Sequence, residues 1–564
     1  MTMARNRRLT ARWAPPAYAL ALTLVITAPL LAPGYLLLRD AVSTPRSYLS
    51  DSAIGLGESA PRAVPQDFAV AVLSAAVDGG VVVKAVLMAG VFLAGWGAAR
   101  LAAQLLPDAG VPGQLVATTV TVWNPYVAER LLQGHWSLLL AYGCLPWVAA
   151  AAVRLRRRPP DRSAWAAVVF WIALAGLTPT GLMLAAIVAL VCITVPGDGV
   201  SRMRCGAAVV VIAVLAALPW LTASSLGNTL GGAQASGLAP FAARAEPGLG
   251  TLGSLAGLGG IWNAESVPNS RTTVFALVAT IVLISVVLCG IPALLRRPET
   301  EPLLVLAAVS LLSVAVMATG PGLTVLRAVV EEVPGLAVLR DGQKWVSLAV
   351  PGYALAGAGA VLTLRRWMRP AVSAAVCTAA LIAVLPDLAW GIGGSLVPVH
   401  YPQGWAAVAA RINTEPQNVA VLPPETMRRF SWSGAEPVLD PLPRWVRADV
   451  LSTGDLVVSG RTVTGEGSRA REVYRLLSNG AVRTTLAAAG VGWVVTETGT
   501  QTLSQLPVDY ADGDLTLYRV GGESPVVPQW KRVVVIVAHL IWAGMILTSG
   551  VALGVSARRR RAQS

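Results

Sequence analysis

Long apolar runs alternate with short polar interruptions along most of the chain. A helix that crosses a bilayer core needs roughly 17–25 such residues. Runs of about that length lie at 16–38, 80–101, 111–128, 136–153, 164–178, 180–196, 205–224, 272–295, 302–319, 345–364, 371–388 and 533–555. The pattern predicts a polytopic α-helical membrane protein of about twelve transmembrane helices. The first run is too long for a signal-peptide core and lacks a small-x-small cleavage site, so it is read as a retained helix. The fifth and sixth are short and share the corner Thr178-Pro179-Thr180-Gly181.

The pattern changes after residue 388. Polar residues and prolines (Pro423, Pro424, Pro441, Pro443) break the chain into short runs. Val419–Leu422, Leu456–Val458, Val491–Val495 and Leu515–Val520 alternate or cluster as strands do, and helical stretches at 403–412 and 468–478 lie between some of them. This predicts a small extracytoplasmic α/β domain at 389–530. The expected division is a basic N-terminus (1–16), a multi-helix membrane domain (17–388), the α/β domain (389–530), and a last transmembrane helix with a basic tail (531–564).

Composition agrees with the membrane reading: 55% of residues are hydrophobic, 13% are charged, and mean hydropathy is +0.62. The net charge of +14 would suit a nucleic-acid ligand only if the basic residues gathered on a soluble face with aromatics, and they do not. They recur instead at the ends of alternate runs: Arg5, Arg7, Arg8 and Arg12; Arg154 to Arg158; Arg202 and Arg204; Arg296 and Arg297; Arg365, Arg366 and Arg369; Arg558 to Arg561. With both termini cytoplasmic, the inner segments hold 21 Lys and Arg against 5 acids, or +16, and the remainder is −2. The outer segments are then 39–79 (with an amphipathic stretch near 66–77), 124–136, 225–271, 320–344 and 389–530. The implied location is a multi-pass protein of the cell's inner (plasma) membrane.

Three outer clusters carry candidate chemistry. Asp40 stands where the first helix leaves the membrane. Shielding by loops there is expected to raise its pKa towards that of a general base, with Asp51, Glu58 and Asp67 as rivals. The turn Asn124-Pro125-Tyr126-Val127-Ala128-Glu129-Arg130, with Gln133-Gly134-His135-Trp136, places Arg130 and His135 where they can meet a lipid phosphate. The competing view of that turn is an aromatic-belt corner with a local Glu129–Arg130 pair. In Leu339-Arg340-Asp341-Gly342-Gln343-Lys344-Trp345, two cations face a leaving phosphate or diphosphate, and Asp341 adds a carboxylate or metal ligand. The bland alternative is snorkelling of Arg340 and Lys344.

The five cysteines and three histidines show no metal-ligand spacing, and the cysteines read as small buried hydrophobes. The interiors of the runs are nearly free of ionisable residues, with His539 the main exception, which disfavours an ion-coupled transporter. No Walker-type, Gly-x-Ser-x-Gly or His-Glu-x-x-His motif occurs. In the α/β domain, Tyr401-Pro402-Gln403-Gly404-Trp405 and Trp432, with Arg428, Arg429 and Arg444, suit either carbohydrate stacking or packing against the membrane surface.

At Pro33-Gly34-Tyr35 with Arg39-Asp40, at the 124–136 turn with Leu145-Pro146-Trp147, and at Arg340-Asp341-Gly342-Gln343-Lys344, the chain resembles the GT-C superfamily of integral-membrane glycosyltransferases. The likeness is to members from high-GC actinobacteria in particular, a source that the Ala- and Val-rich, Lys-poor composition suits. The resemblance implies transfer of a sugar from a polyprenyl-phosphate donor to an envelope glycan or lipid acceptor, with inversion. By it, Asp40 is the base, Arg130, Arg340 and Lys344 hold the donor phosphate, and Glu129, His135, Asp341 and Gln343 are further site residues. Many members carry paired acids in the first outer loop, whereas here Ala41 and Val42 follow Asp40, so a divalent metal is left open and no cofactor is assigned. The competing function is a non-catalytic envelope assembly or lipid-handling protein, a scaffold or flippase, in which the 389–530 domain matters and Asp40 does not.

Overall fold

A computed structural model describes residues 2–57, 61–157, 159, 161–227, 237–458, 460–497 and 503–562. Glu58 and Arg158 lie outside the described residues. Seven helices are long and apolar enough to cross a membrane: Arg12–Leu31, Gly79–Leu105, Trp136–Arg157, Arg202–Leu226, Phe275–Leu294, Gly342–Leu364 and Gln529–Arg560. Two bent pairs raise the number to nine if each is one span: Glu301–Met317 with Gly320–Glu332, bent by 92°, and Pro370–Ala383 with Pro386–Gly394, bent by 78°. The chain is thus a multi-pass helical membrane protein, with seven to nine candidate spans by length and composition among the described residues, against the twelve expected.

The shortfall has local causes. The helices at the N-terminal end are α1 (Thr2–Thr27), α2 (Gln66–Leu73), α3 (Gly79–Leu105), α4 (Gly110–Val122), α5 (Pro125–Leu132) and α6 (Trp136–Arg157). The run expected at 111–128 breaks where the Asn124 side chain accepts from the Val127 N–H (3.0 Å) and Pro125 opens α5. What remains, α4, rises about 20 Å over its 13 residues, short of a ~30 Å hydrocarbon core. Arg162–Ala175 and Pro179–Cys192 have 14 residues each and are equally short.

The loops sort to two ends. At one, Arg297 pairs with Asp108 and donates to the Leu105 carbonyl, Arg157 meets Glu299 at 3.1 Å, and Arg560 meets Asp161 at 3.3 Å. These are the segments whose charge marks them as inner. At the far end of α3, some 40 Å away by its 27 residues, Gly79 N–H donates to Pro45 O and Tyr35 Oη donates to Asp78. Lys84, one turn into α3, caps the carbonyls of Ala32 and Gly34 (2.9 and 3.0 Å), and so is a buried cation that the apolar pattern conceals. His539 is buried against Phe68, with ring centroids 4.4 Å apart, and its Nδ1 lies 2.8 Å from the Val535 carbonyl oxygen.

The α/β region is built on a five-stranded sheet. Strands β1 (Leu37–Leu38) and β2 (Ala41–Val42) form a separate hairpin. They are followed by β3 (Val419–Leu422), β4 (Met427–Arg428), β5 (Val438–Leu439), β6 (Val450–Leu451), β7 (Leu456–Val458), β8 (Arg461–Val463), β9 (Trp493–Glu497), β10 (Val508–Ala511) and β11 (Leu515–Arg519). The sheet order is β10-β11-β9-β3-β6, with β3 parallel to both neighbours and β11 antiparallel to β9 and β10. Period-two alternation gives it two cores. Val419, Val421, Trp493, Val495, Leu515 and Leu517 face one, with Trp405; Ala420, Leu422, Val494 and Tyr518 face the other, with Val473 and Leu477.

Leu37, in the segment that follows the first helix, is buried in the first of these cores. Tyr35 bridges Val399 through N–H···O bonds of 2.8 and 2.9 Å, Arg39 bridges Val438, and Tyr401 Oη donates to Ser43 O at 2.8 Å. The hairpin that carries Asp40 is therefore packed as part of the α/β unit. Trp405, Tyr401, Phe430, Trp432 and Trp445 pack on one another as core, and Arg428 is buried between Asp440 and Glu497. Arg444 pairs with Asp67 at 3.3 Å. Apart from the exposed Arg429, this aromatic and basic set is engaged in packing and ion pairs within the protein.

Candidate active site

Asp40 sits at the tip of the β1–β2 hairpin, where Leu38 pairs with Ala41. The tip requires Arg39 to take a φ of +49°, a left-handed conformation uncommon for a residue with a side chain. Backbone bonds on both sides hold it: Arg39 N–H donates to Pro437 O (2.9 Å), and Leu439 N–H donates to Arg39 O (3.0 Å). From the membrane side the α5–α6 corner presses on the hairpin at Gly134, whose φ is +79°. A Cβ there would stand 2.3 Å from Ala41 N and 2.4 Å from Leu38 O, so the approach needs glycine.

This corner delivers the partners of Asp40. The Asp40 N–H donates to Gln133 O at 3.2 Å. Gln133 Nε2 donates to Asp40 Oδ2 at 3.1 Å, and His135 Nε2 lies 2.9 Å from the same oxygen. Among the described residues Oδ1 has no hydrogen-bond partner. The other ring nitrogen, His135 Nδ1, is 3.1 Å from Arg130 Nη1. A guanidinium only donates, so Nδ1 accepts and the ring proton is on Nε2, pointing at Asp40. Burial and the nearby Lys344 charge keep the His135 pKa below its usual value, consistent with a neutral ring.

Arg130 is the hub. It is fully buried at the C-terminal turn of α5, and it grips Asp341 with two bonds, Nη1 to Oδ2 at 2.7 Å and Nη2 to Oδ1 at 3.1 Å. It also donates to Gln343 Oε1, and Gln343 Nε2 donates to Glu129 Oε2 at 2.8 Å. The Gly260 N–H completes the set by donating to Glu129 Oε1 at 3.0 Å. Lys344 Nζ lies 3.6 Å from Asp341 Oδ2, with its side chain 24% exposed.

The electrostatics follow from these contacts. Burial alone would raise the Asp40 pKa, as shielding by loops was expected to do. The hydrogen bonds from His135 and Gln133 and the Lys344 charge outweigh it and hold Asp40 below its usual value. The expected raised pKa is therefore corrected to a lowered one: Asp40 is a carboxylate at neutral pH. Asp341 is likewise buried, but Arg130 and Lys344 hold it well below the carboxylate range. Glu129 is pushed well above that range by burial and by the nearby Glu246, which itself pairs with the buried Arg271.

Seven of the sequence-derived residues thus meet in one cluster: Asp40, Glu129, Arg130, His135, Asp341, Gln343 and Lys344. Arg340 does not join it. Its guanidinium lies over the Phe241 ring, 4.2 Å from the centroid, and burial with the charge of Arg62 lowers its pKa to about 10. No group of three or more His, Cys, Asp or Glu placed to hold a metal occurs among the described residues, and Asp341 is taken up by cations. The sequence motifs include Gln133 and Arg39 without a role for either and leave out Asn263, Ser266 and Glu436. Asn263 Nδ2 and Ser266 Oγ both donate to Gln133 Oε1 at 2.8 Å, which fixes the amide so that its NH2 faces Asp40. No local motif marks Asn263, Ser266 or Glu436, because each acts across 130 or more positions.

No family model matches the chain, and no curated protein matches it by sequence. Solved structures do match by shape. The cryo-EM structure of the arabinofuranosyltransferase AftD from mycobacteria superposes with a TM-score of 0.59 at 15% identity, over 91% of this chain and 40% of that one. The fold is shared with AftD. Two classes of a point mutant of AftD give TM-scores of 0.55 and 0.52, at 16% and 15% identity, again over 91% of this chain. The present chain spans about two fifths of AftD's length.

Proposed function

We propose that this protein is a membrane glycosyltransferase that moves a sugar from a polyprenyl-phosphate donor onto a cell-envelope glycan or lipid. The observation that carries the reading is the asymmetric hold on Asp40. Its Oδ2 is saturated by Gln133 and His135, which leaves Oδ1 for an incoming hydroxyl. The acceptor O–H gives its proton to Oδ1 as the acceptor oxygen attacks the anomeric carbon. The bond from that carbon to the phosphate oxygen breaks with its electron pair on the phosphate, and the sugar carbon inverts.

Lys344, the exposed cation of the cluster, takes the departing phosphate. Arg130 was expected there too, but its terminal nitrogens are spent on Asp341, Gln343 and His135. Its part is to position His135 and the Asp341–Lys344 segment. Arg340, over Phe241, stands apart from the cluster and is given no part in this step. The fold shared with an arabinofuranosyltransferase supports a pentofuranose as the sugar to try first. The charge asymmetry supports an active face outside the cytoplasm, with both termini inside.

The test is Asp40→Asn in the full chain. We expect loss of polyprenyl phosphate release from radiolabelled polyprenylphosphoryl-arabinofuranose by at least about a hundredfold, with normal membrane insertion. A variant that works as well as the wild type would remove Asp40 as the base. Complementation by that variant, combined with loss of function on altering the α/β unit, would favour the scaffold reading.

A further inference from the structure

We propose that Arg39 is a positioning residue, and that its clamp on Glu436 makes the α/β domain the element that aims Asp40. The inference rests on the reading of Asp40 as the base. Arg39 is 1% exposed although it lies in an outer loop, and its guanidinium ties three distant segments together. Nη1 donates to Leu132 O at 2.8 Å, at the end of α5. Nη2 donates to Glu265 O at 2.7 Å and to Glu436 Oε2 at 2.5 Å. Its backbone is bonded on both faces to residues 437 and 439.

The clamp explains a conformation that would otherwise be costly. A left-handed φ on an arginine persists only where its surroundings over-determine it. Here two backbone bonds and three side-chain bonds do so, and the neighbour whose direction they fix is Asp40. The same clamp sets the height of the hairpin against α5, and the bonds from Gln133 and His135 to Asp40 depend on that height. Burial lowers the Arg39 pKa, while the charges of Glu436, Glu265 and Asp40 oppose the fall, so the guanidinium remains the charged partner in the clamp. The Glu436 side chain is 42% exposed, so substituting it alters the clamp without opening the core.

The experiment compares Glu436→Ala, Glu436→Gln and Asp40→Asn in the detergent-solubilised full chain. Deuterium uptake by the peptide covering 36–43 is followed first, because it needs no substrate. We expect faster exchange there in the alanine variant and near-normal exchange in the glutamine variant, which keeps an acceptor oxygen. With radiolabelled polyprenylphosphoryl-arabinofuranose as probe, kcat of the alanine variant should fall roughly ten- to a hundredfold with KM unchanged. Its acid limb should also move to higher pH, because Asp40 loses the bonds that keep it ionised.

Unchanged uptake at 36–43, or a kcat and acid limb like the wild type while Asp40→Asn is inactive, overturns the proposal and leaves the base reading intact. Faster exchange spread over the whole chain also overturns it, since the clamp would then be merely structural. A fully active Asp40→Asn removes the base reading instead, and that outcome is read from a different variant.

Discussion

Replacing Asp341 with Asn removes one charge from the buried pair that organises the site. Arg130 is wholly buried, and it gives Asp341 two charge-assisted bonds of 2.7 and 3.1 Å. Taking the anion from such a pair costs about 3–5 kcal/mol, because the guanidinium is left in low dielectric without a counter-charge. Gln343 and His135 still accept from Arg130 in the variant, which places the expected cost near the lower end, about 3 kcal/mol. The assay is a double-mutant cycle of Asp341→Asn, Arg130→Gln and the double variant, read as unfolding in detergent. The double variant exchanges an ion pair for two neutral amides, so its loss should be smaller than the sum of the singles by about 2 kcal/mol. Additive losses, within about 0.5 kcal/mol, would refute the pair as the organiser. Because the folded pKa of Asp341 is depressed, its contribution is complete above the unfolded value of about 3.9 and is lost as pH falls through the lower folded one. The gap between wild type and Asp341→Asn should therefore close only in acid.

Two further substitutions test the neighbourhood of Asp40. His135→Ala should weaken activity and move the acid limb of the pH–rate profile upward, towards an ordinary carboxylate, because the first cause of the lowered Asp40 pKa after burial is removed. An unmoved limb would show that His135 does not set the ionisation of Asp40. Gly134→Ala drives a methyl into Ala41 N and Leu38 O and meets a φ of +79°, so it should cost about 1–3 kcal/mol and most of the activity. A stable, active Gly134→Ala protein would show that the corner does not press on the hairpin as described.

Much of the site was legible in the sequence because topology is legible. Apolar runs and the bias of arginine place Asp40, Arg130, His135, Asp341 and Lys344 on one face, and they do meet. The span number was less legible, since hydropathy alone overlooks the helix stop at Asn124-Pro125 and does not separate helices of 13 or 14 residues from full-length spans. Arg340 stands apart from the cluster because adjacency in sequence to Asp341 says nothing of direction. Its side chain turns to Phe241 while Asp341 turns to Arg130. The expectation that loops would raise the Asp40 pKa failed because burial came with three opposing influences, from His135, Gln133 and Lys344. Arg39 stands beside Asp40 in the motif, but nothing local told its role. Its partners are Leu132, Glu265 and Glu436, and only the folded chain brings them together.

The separation of 397 residues between Arg39 and Glu436 also has a meaning in time. A ribosome adding ~5–20 residues per second exposes the first outer loop roughly 20–80 s before Glu436 exists. Throughout that interval the nascent protein sits in the membrane with its prospective base unanchored. On the proposed reading the base gains its clamp only once Glu436 is made, so a product terminated before Glu436 should be inactive even though it already holds Asp40, His135 and Lys344.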